Sequence, residues 1–349
     1  MTRAFPVIDA DGHVIENIQQ LRAFLPGNFH KEDGKREYVL LPYDGWMRGA
    51  LTPKKREDPD PTRWLNFLDA CGISTTVLYT SAGLSIGLVH DSDWAVVVAR
   101  AYNDWLHEYF LRASPRFKGV ALLAVQEPVE AAKELERCVR DYGMVGGMLA
   151  AVMNPMRGFG LPQFDPIFAA AERLNVPLGV HAGSAAELGL DHFTSFAGVY
   201  PLSHPFAQMQ QLTSMMIHGV FERFPKLRVA FLESGCGWVP YLMDRLEESY
   251  EHRYGRWPYK VKRSPKEIMR GGNLYYSCEV GESTLATVSA LMGSSQIIWP
   301  SDFPHERPWE EFSGDLDRFI RRDDLSESIT KQILSENPRR LYNLGAIGI

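Results

Sequence analysis

Apolar and polar positions alternate between two patterns along this chain. Short continuous apolar runs recur, among them "FPVIDADGH" from Phe5, "TTVLYTS" from Thr75, "FKGVALLAV" from Phe117 and "VGGMLAAV" from Val145. "VPLGVHAG" from Val176, "LRVAFLESG" from Leu227, "LYYSCEV" from Leu274 and "QIIWPSDFPH" from Gln296 continue the series. Between them lie segments with helical spacing: "DPTRWLNFLDACGI" from Asp60, the stretch Asp91 to Pro115, "PVEAAKELERCVRDYG" from Pro128, "FDPIFAAAERLN" from Phe164, "QMQQLTSMMIHGVFERFP" from Gln208 and "VPYLMDRLEESYEHR" from Val239. Two more, "WEEFSGDLDRFIRR" and "LSESITKQILSENPRRLYNLG", close the chain. Continuously apolar strands alternating with helices predict a parallel sheet covered by helices on its faces. About eight strand candidates favour a closed α/β barrel over an open sheet. The open doubly wound sheet remains the alternative, although no GxGxxG follows the first strand, so a dinucleotide site has no support.

The charged, proline-rich stretch from His30 to Pro61 is too long for a simple connection and reads as a cap inserted after the first strand. No repeat, low-complexity tract or linker divides the chain, so residues 1–349 are expected to form one domain. Composition is that of an ordinary globular protein, with 45% hydrophobic and 23% charged residues. The net charge of -6 argues against a nucleic-acid partner or an anionic membrane. No apolar run reaches the roughly 20 residues that span a bilayer, and the N-terminal segment lacks the apolar core of a signal peptide. Cys71, Cys138, Cys236 and Cys278 are widely spaced, as expected of reduced thiols in a cytoplasmic protein.

In a barrel of this kind the reactive groups leave the core at the C-terminal ends of the strands. The first run ends in Asp9, Asp11 and His13, which would project together along an extended strand. The fifth ends in His181, the sixth in Glu233, and the eighth in Asp302 with His305 close behind. Any one of these residues is more often a capped turn or a hydrogen-bonded structural group. Together Asp11, His13, His181 and Asp302 form a mixed nitrogen and oxygen set that suits one divalent ion, Zn²⁺ or, given two hard carboxylates, Mn²⁺.

The chain resembles the amidohydrolase-related family typified by aminocarboxymuconate-semialdehyde decarboxylase, which also includes metal-dependent decarboxylases of hydroxybenzoates. The likeness runs nearly end to end: "DADGH", "RFKGVALLAVQEPVEAAKELERC", "FDPIFAAAERLNVPLGVHAG", "SMMIHGVFERFPKLRVAFLESGCGWVP", "SDFPH" and "ILSENPRRLYNL". It implies a distorted (β/α)8 TIM barrel of the metal-dependent hydrolase type, with one catalytic divalent metal on Asp11, His13, His181 and Asp302. Where many relatives carry a sixth-strand His for proton transfer, this chain has "ESGCGW". Glu233 is the nearest replacement in chemical role, the other reading being that it anchors substrate or an arginine. His204, which opens a helix-like run after a long loop, is a further catalytic candidate, whereas His218 reads as structural. Trp46, Phe193, Trp238 and Phe303 are candidate walls for a ring-sized pocket, though each also fits an ordinary core. Arg48 suits a substrate carboxylate or the solvent.

Two reactions share such a site. In one, the metal holds a substrate carboxylate and an acid protonates the carbon that loses CO₂. In the other, metal-bound hydroxide attacks a C–N or C–C bond and Asp302 accepts the proton. A non-catalytic metal-binding protein would be expected to lack ligands. The resemblance favours the first reaction on a small carboxylated aromatic or ring-cleavage product, and a homodimer is expected.

Overall fold

In the computed structural model, residues 5–27, 41, 60–252, 256–305 and 309–346 are described. Every one of the eight apolar runs forms a strand. These are β1 (Ile8–Val14), β2 (Thr75–Thr80), β3 (Phe117–Leu122), β4 (Gly146–Ala150), β5 (Leu178–His181), β6 (Val229–Leu232), β7 (Leu274–Ser277) and β8 (Ile297–Ile298). They pair in parallel in chain order from β1 to β8. Backbone bonds from Ala10 N to Trp299 O (3.1 Å), His13 N to Phe303 O (2.8 Å) and Asp302 N to Asp11 O (3.0 Å) join the segment that follows β8 to the first strand. The sheet is thereby a barrel, with helices outside it. Strands buried on both faces have no polar side to present, which is why they read as unbroken apolar runs.

Local signals set the helix ends. Asp60 caps the helix Pro61–Cys71 by accepting from Arg63 N at 2.8 Å, and Gly72 closes it in the left-handed conformation. Asp91 caps Ser92–Leu106 in the same way. The helix Phe196–Ile217 starts twelve residues before the periodic run from Gln208 and continues through Pro201 and Pro205. Val199, Ser203, His204 and Ala207 along this extension are buried, so packing against the barrel outweighs the backbone bonds that the prolines remove.

Inside the barrel, Tyr79 crosses the lumen. Its hydroxyl meets that of Tyr342 at 2.9 Å, and Tyr342 in turn donates to Ala10 O at 2.7 Å, tying the C-terminal segment to β1. A Cβ on Gly179 would stand 2.7 Å from the Tyr79 hydroxyl, so β5 admits no side chain there. Most of the stretch His30 to Pro61, including Trp46 and Arg48, lies outside the described residues.

Candidate active site

β1 is not a straight strand. Its register against β2 shifts between Asp9 and Gly12, a bulge that breaks the two-residue alternation. Asp9 therefore does not join Asp11 and His13, contrary to the simple reading of "DADGH". Its buried carboxylate accepts from Thr76 Oγ1 (2.7 Å), Ser301 N (2.7 Å) and Ser301 Oγ (2.8 Å), pinning β1 to β2 and to the segment after β8. Burial pushes the Asp9 carboxyl up to about 6, against the pull of those donors.

Asp11 and His13 reach the C-terminal mouth, where β5 and β8 bring His181 and Asp302. His181 Nε2 lies 3.2 Å from Asp11 Oδ1, and His13 Nε2 lies 3.5 Å from the same oxygen and 3.8 Å from Asp302 Oδ1. Each imidazole gives its other nitrogen to a backbone carbonyl: His13 Nδ1 to Thr80 O at 2.7 Å, His181 Nδ1 to Ala182 O at 2.6 Å. A carbonyl only accepts, so both rings are held with Nδ1–H outward and Nε2 toward the centre, the arrangement of metal-ligating histidines. Donors about 2.0–2.2 Å from a common ion stand about 3.3–3.6 Å apart at tetrahedral corners. The observed spacings bracket that range, so these side chains fit a divalent ion.

The electrostatics point the same way. Asp11 and His181 are buried. Desolvation drives the Asp11 carboxyl upward, only partly opposed by the His181 imidazole. Desolvation pushes His181 down, but the adjacent Asp11 charge and its hydrogen bond win, and its pKa is raised. Acidic oxygens gathered in so dry a place favour a bound cation.

Two of the carboxylates occupy strained backbone. Glu233 has φ +56° and Asp302 φ +54°, the left-handed region that costs an L-residue of order 1–3 kcal/mol. Both are held there by neighbours. Glu233 N donates to Ser277 Oγ at 2.9 Å. Beyond it, Glu282 accepts from Cys236 N (3.0 Å) and Gly237 N (2.6 Å). Glu233 Oε2 lies 3.5 Å from His181 Nδ1 and Oε1 4.0 Å from His204 Nδ1, so the structure brings the sixth-strand carboxylate and His204 to the ligand set. Burial and the nearby His181 hold His204 down at about 4, a neutral imidazole at physiological pH. Burial and the adjoining Glu282 raise the Cys236 thiol, which keeps it protonated.

Two expected pocket walls belong instead to the core. Phe303 is buried, stacks on Phe67 at 4.0 Å and meets Trp64 and Phe312 edge-on. Trp238 packs against Phe231 and Tyr276, with its indole N–H on Gly235 O at 2.9 Å. A position beside a strand end does not tell on which side of the barrel wall a ring falls. Phe193 packs beside His192, with ring centres 4.2 Å apart. His218 serves its own helix, Nδ1 meeting Ser214 O at 2.8 Å.

His305, noted in the sequence behind Asp302, was not counted there among the site residues. His305 Nδ1 lies 2.8 Å from Asp302 Oδ1, its Nε2 lies 2.7 Å from Ser81 Oγ, and its ring sits 4.0 Å from that of His13. The signal was the "SDFPH" turn, which folds back through a bond from His305 N to Asp302 O at 2.9 Å.

A parallel barrel with imidazoles and carboxylates converging at its C-terminal mouth defines the class of metal-centred (β/α)8 proteins. The chain belongs to the amidohydrolase family, whose model matches residues 8–344. It is 26% identical over 340 residues to gamma-resorcylate decarboxylase of Rhizobium radiobacter, covering 94% of this chain and 95% of that protein. With the 2-amino-3-carboxymuconate-6-semialdehyde decarboxylase of Dictyostelium discoideum it shares 25% identity over 251 residues, 72% of this chain and 67% of the other. Its fold is that of 5-carboxyvanillate decarboxylase from Novosphingobium aromaticivorans, solved with manganese and 4-hydroxy-3-methoxy-5-nitrobenzoic acid, at TM-score 0.75, 19% identity and coverage of 98% and 97%. A 2,6-dihydroxybenzoate decarboxylase in complex with 2,6-dihydroxybenzoate superposes at TM-score 0.71 with 23% identity, covering 98% and 99%.

Proposed function

We propose that this chain is a metal-dependent, non-oxidative decarboxylase of a small carboxylated aromatic or ring-cleavage product. The observation that carries the reading is the pair of side-chain groups that meet at His13, one with Asp11 and His181 and the other with Asp302, Glu233 and His305, in a chain similar along its length to decarboxylases. Asp11, His13, His181 and Asp302 would hold one divalent ion. When bound, the ion would supply an electrophile and a template for the substrate's carboxylate or adjacent oxygen. The two imidazoles suit zinc; the carboxylates, and the manganese in solved relatives, suit manganese.

The rest of the chemistry falls to the protein. Glu233 stands at the edge of the ligand set with 19% of its side chain open to solvent. It donates a proton to the carbon that bears the carboxylate as the bond between them breaks; that bond's electron pair becomes the new C–H bond, and CO₂ leaves. Glu233 is then reprotonated from solvent. His204, neutral and beside Glu233, steadies that carboxyl group without adding a competing charge. Tyr79, whose phenol burial holds fully protonated, floors the site, its ring 5.3 Å from that of His181. No observation favours hydrolysis. The four buried cysteines, none in a disulfide, support a reducing compartment such as the cytoplasm.

The test is to load the metal-stripped enzyme separately with zinc and with manganese. It is then offered hydroxybenzoates and carboxylated ring-cleavage products, following CO₂ and product together. One CO₂ per product, about one metal per chain and loss of turnover on chelation are expected. Product formed without CO₂ would replace decarboxylation by hydrolysis.

A further inference from the structure

We propose that Ser81 and His305 are positioning residues that aim the Asp302 carboxylate at the metal ion. The proposal rests on the reading of Asp302 as a ligand and adds a supporting chain behind it. Asp302 reaches the site from a turn rather than from a strand, so the barrel ladder does not fix its side chain. His305, three residues on and buried, supplies the missing constraint. A carboxylate only accepts, so the 2.8 Å approach of Nδ1 to Asp302 Oδ1 makes Nδ1 the donor. Its Nε2 meets the Ser81 hydroxyl 2.7 Å away, a group able either to donate to that nitrogen or to accept from it. Ser81 thus fixes the plane of the ring whose Nδ1–H holds Asp302. Both ring nitrogens are engaged in this way, and His305 is not itself a ligand, although its nitrogen lies near enough to the other donors to be one.

Ser81 is in turn anchored from β1's side of the barrel. The Glu16 carboxylate, just past the end of β1, is buried and accepts from Ser81 N (3.1 Å), Ala82 N (2.8 Å) and Gly83 N (3.3 Å), and from the Thr80 hydroxyl. The same turn offers Thr80 O to His13 Nδ1. One loop after β2 therefore orients His13 through a carbonyl and Asp302 through Ser81 and His305. Groups of this kind behind a metal ligand typically change metal affinity by about 10–100-fold.

The test measures zinc and manganese dissociation constants by competition with a chromophoric chelator, on full-length protein whose folding is checked by circular dichroism. His305→Ala should weaken binding by about 10–100-fold, and Ser81→Ala should weaken it in the same direction by less. His305→Asn places an amide N–H where Nδ1–H stood and should stay within about threefold of wild type. Unchanged affinity in His305→Ala overturns the positioning role. Loss of the ion in His305→Asn as complete as in His305→Ala makes His305 a direct ligand and overturns it too. A wild-type protein that binds neither ion removes the metal reading itself, and this proposal with it. Should His305→Ala not fold, Ser81→Ala and His305→Asn decide the question alone.

Discussion

As the proposed proton donor, Glu233 has a geometry that specifies what its removal should do. Its carboxylate lies 3.5 Å from the His181 imidazole and 4.0 Å from that of His204, on a left-handed turn rather than on the barrel wall. Glu233→Gln keeps size and hydrogen bonding and removes proton exchange. General acid–base groups typically contribute about 10² to 10⁴ in rate, so turnover should fall at least about a hundredfold while metal content and KM stay near wild type. Steady-state kinetics with elemental analysis checks this. If KM rises and turnover holds, Glu233 is an anchor, and the proton comes from His204 or Asp302.

At the scale of elements, the sequence disclosed the strands because buried parallel strands have no polar face to interrupt them. It pointed to Asp11, His13, His181 and Asp302 as candidates because each stands within or shortly after such a run. It misplaced Asp9 because alternation assumes a straight strand, and a bulge needs the partner strand's register to be seen. It began the helix Phe196–Ile217 only at Gln208, because Pro201 and Pro205 disfavour helix locally and the burial that overrides them is a tertiary fact. It passed over Glu16, whose partners lie more than sixty residues away at the end of β2. That carboxylate joins two strand ends, and its four partners are all donors. Glu16→Gln would set an amide N–H₂ against them. Leaving buried donors unpaired costs about 1–3 kcal/mol each, and bonds to a charged group contribute about 1.5–3 kcal/mol. A loss of at least about 2 kcal/mol is expected in denaturant unfolding, accompanied by weaker metal binding through the Ser81 turn. A change under about 0.5 kcal/mol with full metal affinity would show that the turn holds itself.

For the molecule as a whole, barrel closure leaves no open sheet edge among the described strands for a second chain to extend. Among the described residues no helix is long and apolar enough to cross a membrane. Tyr200 is 53% exposed on the helix Phe196–Ile217, and Tyr241 is 63% exposed on the helix Trp238–His252. Large aromatic side chains standing in water are typical of protein interfaces, and a two-fold dimer presents the same surface on both copies. We therefore expect a homodimer formed through these two helices. Light scattering at micromolar concentration should give a mass near twice the 39.5 kDa of one chain. Tyr200→Glu combined with Tyr241→Glu should halve it by bringing like charges together across the two-fold axis. A wild-type mass of one chain would rule the dimer out, and a dimer that survives both substitutions would move the interface to another face.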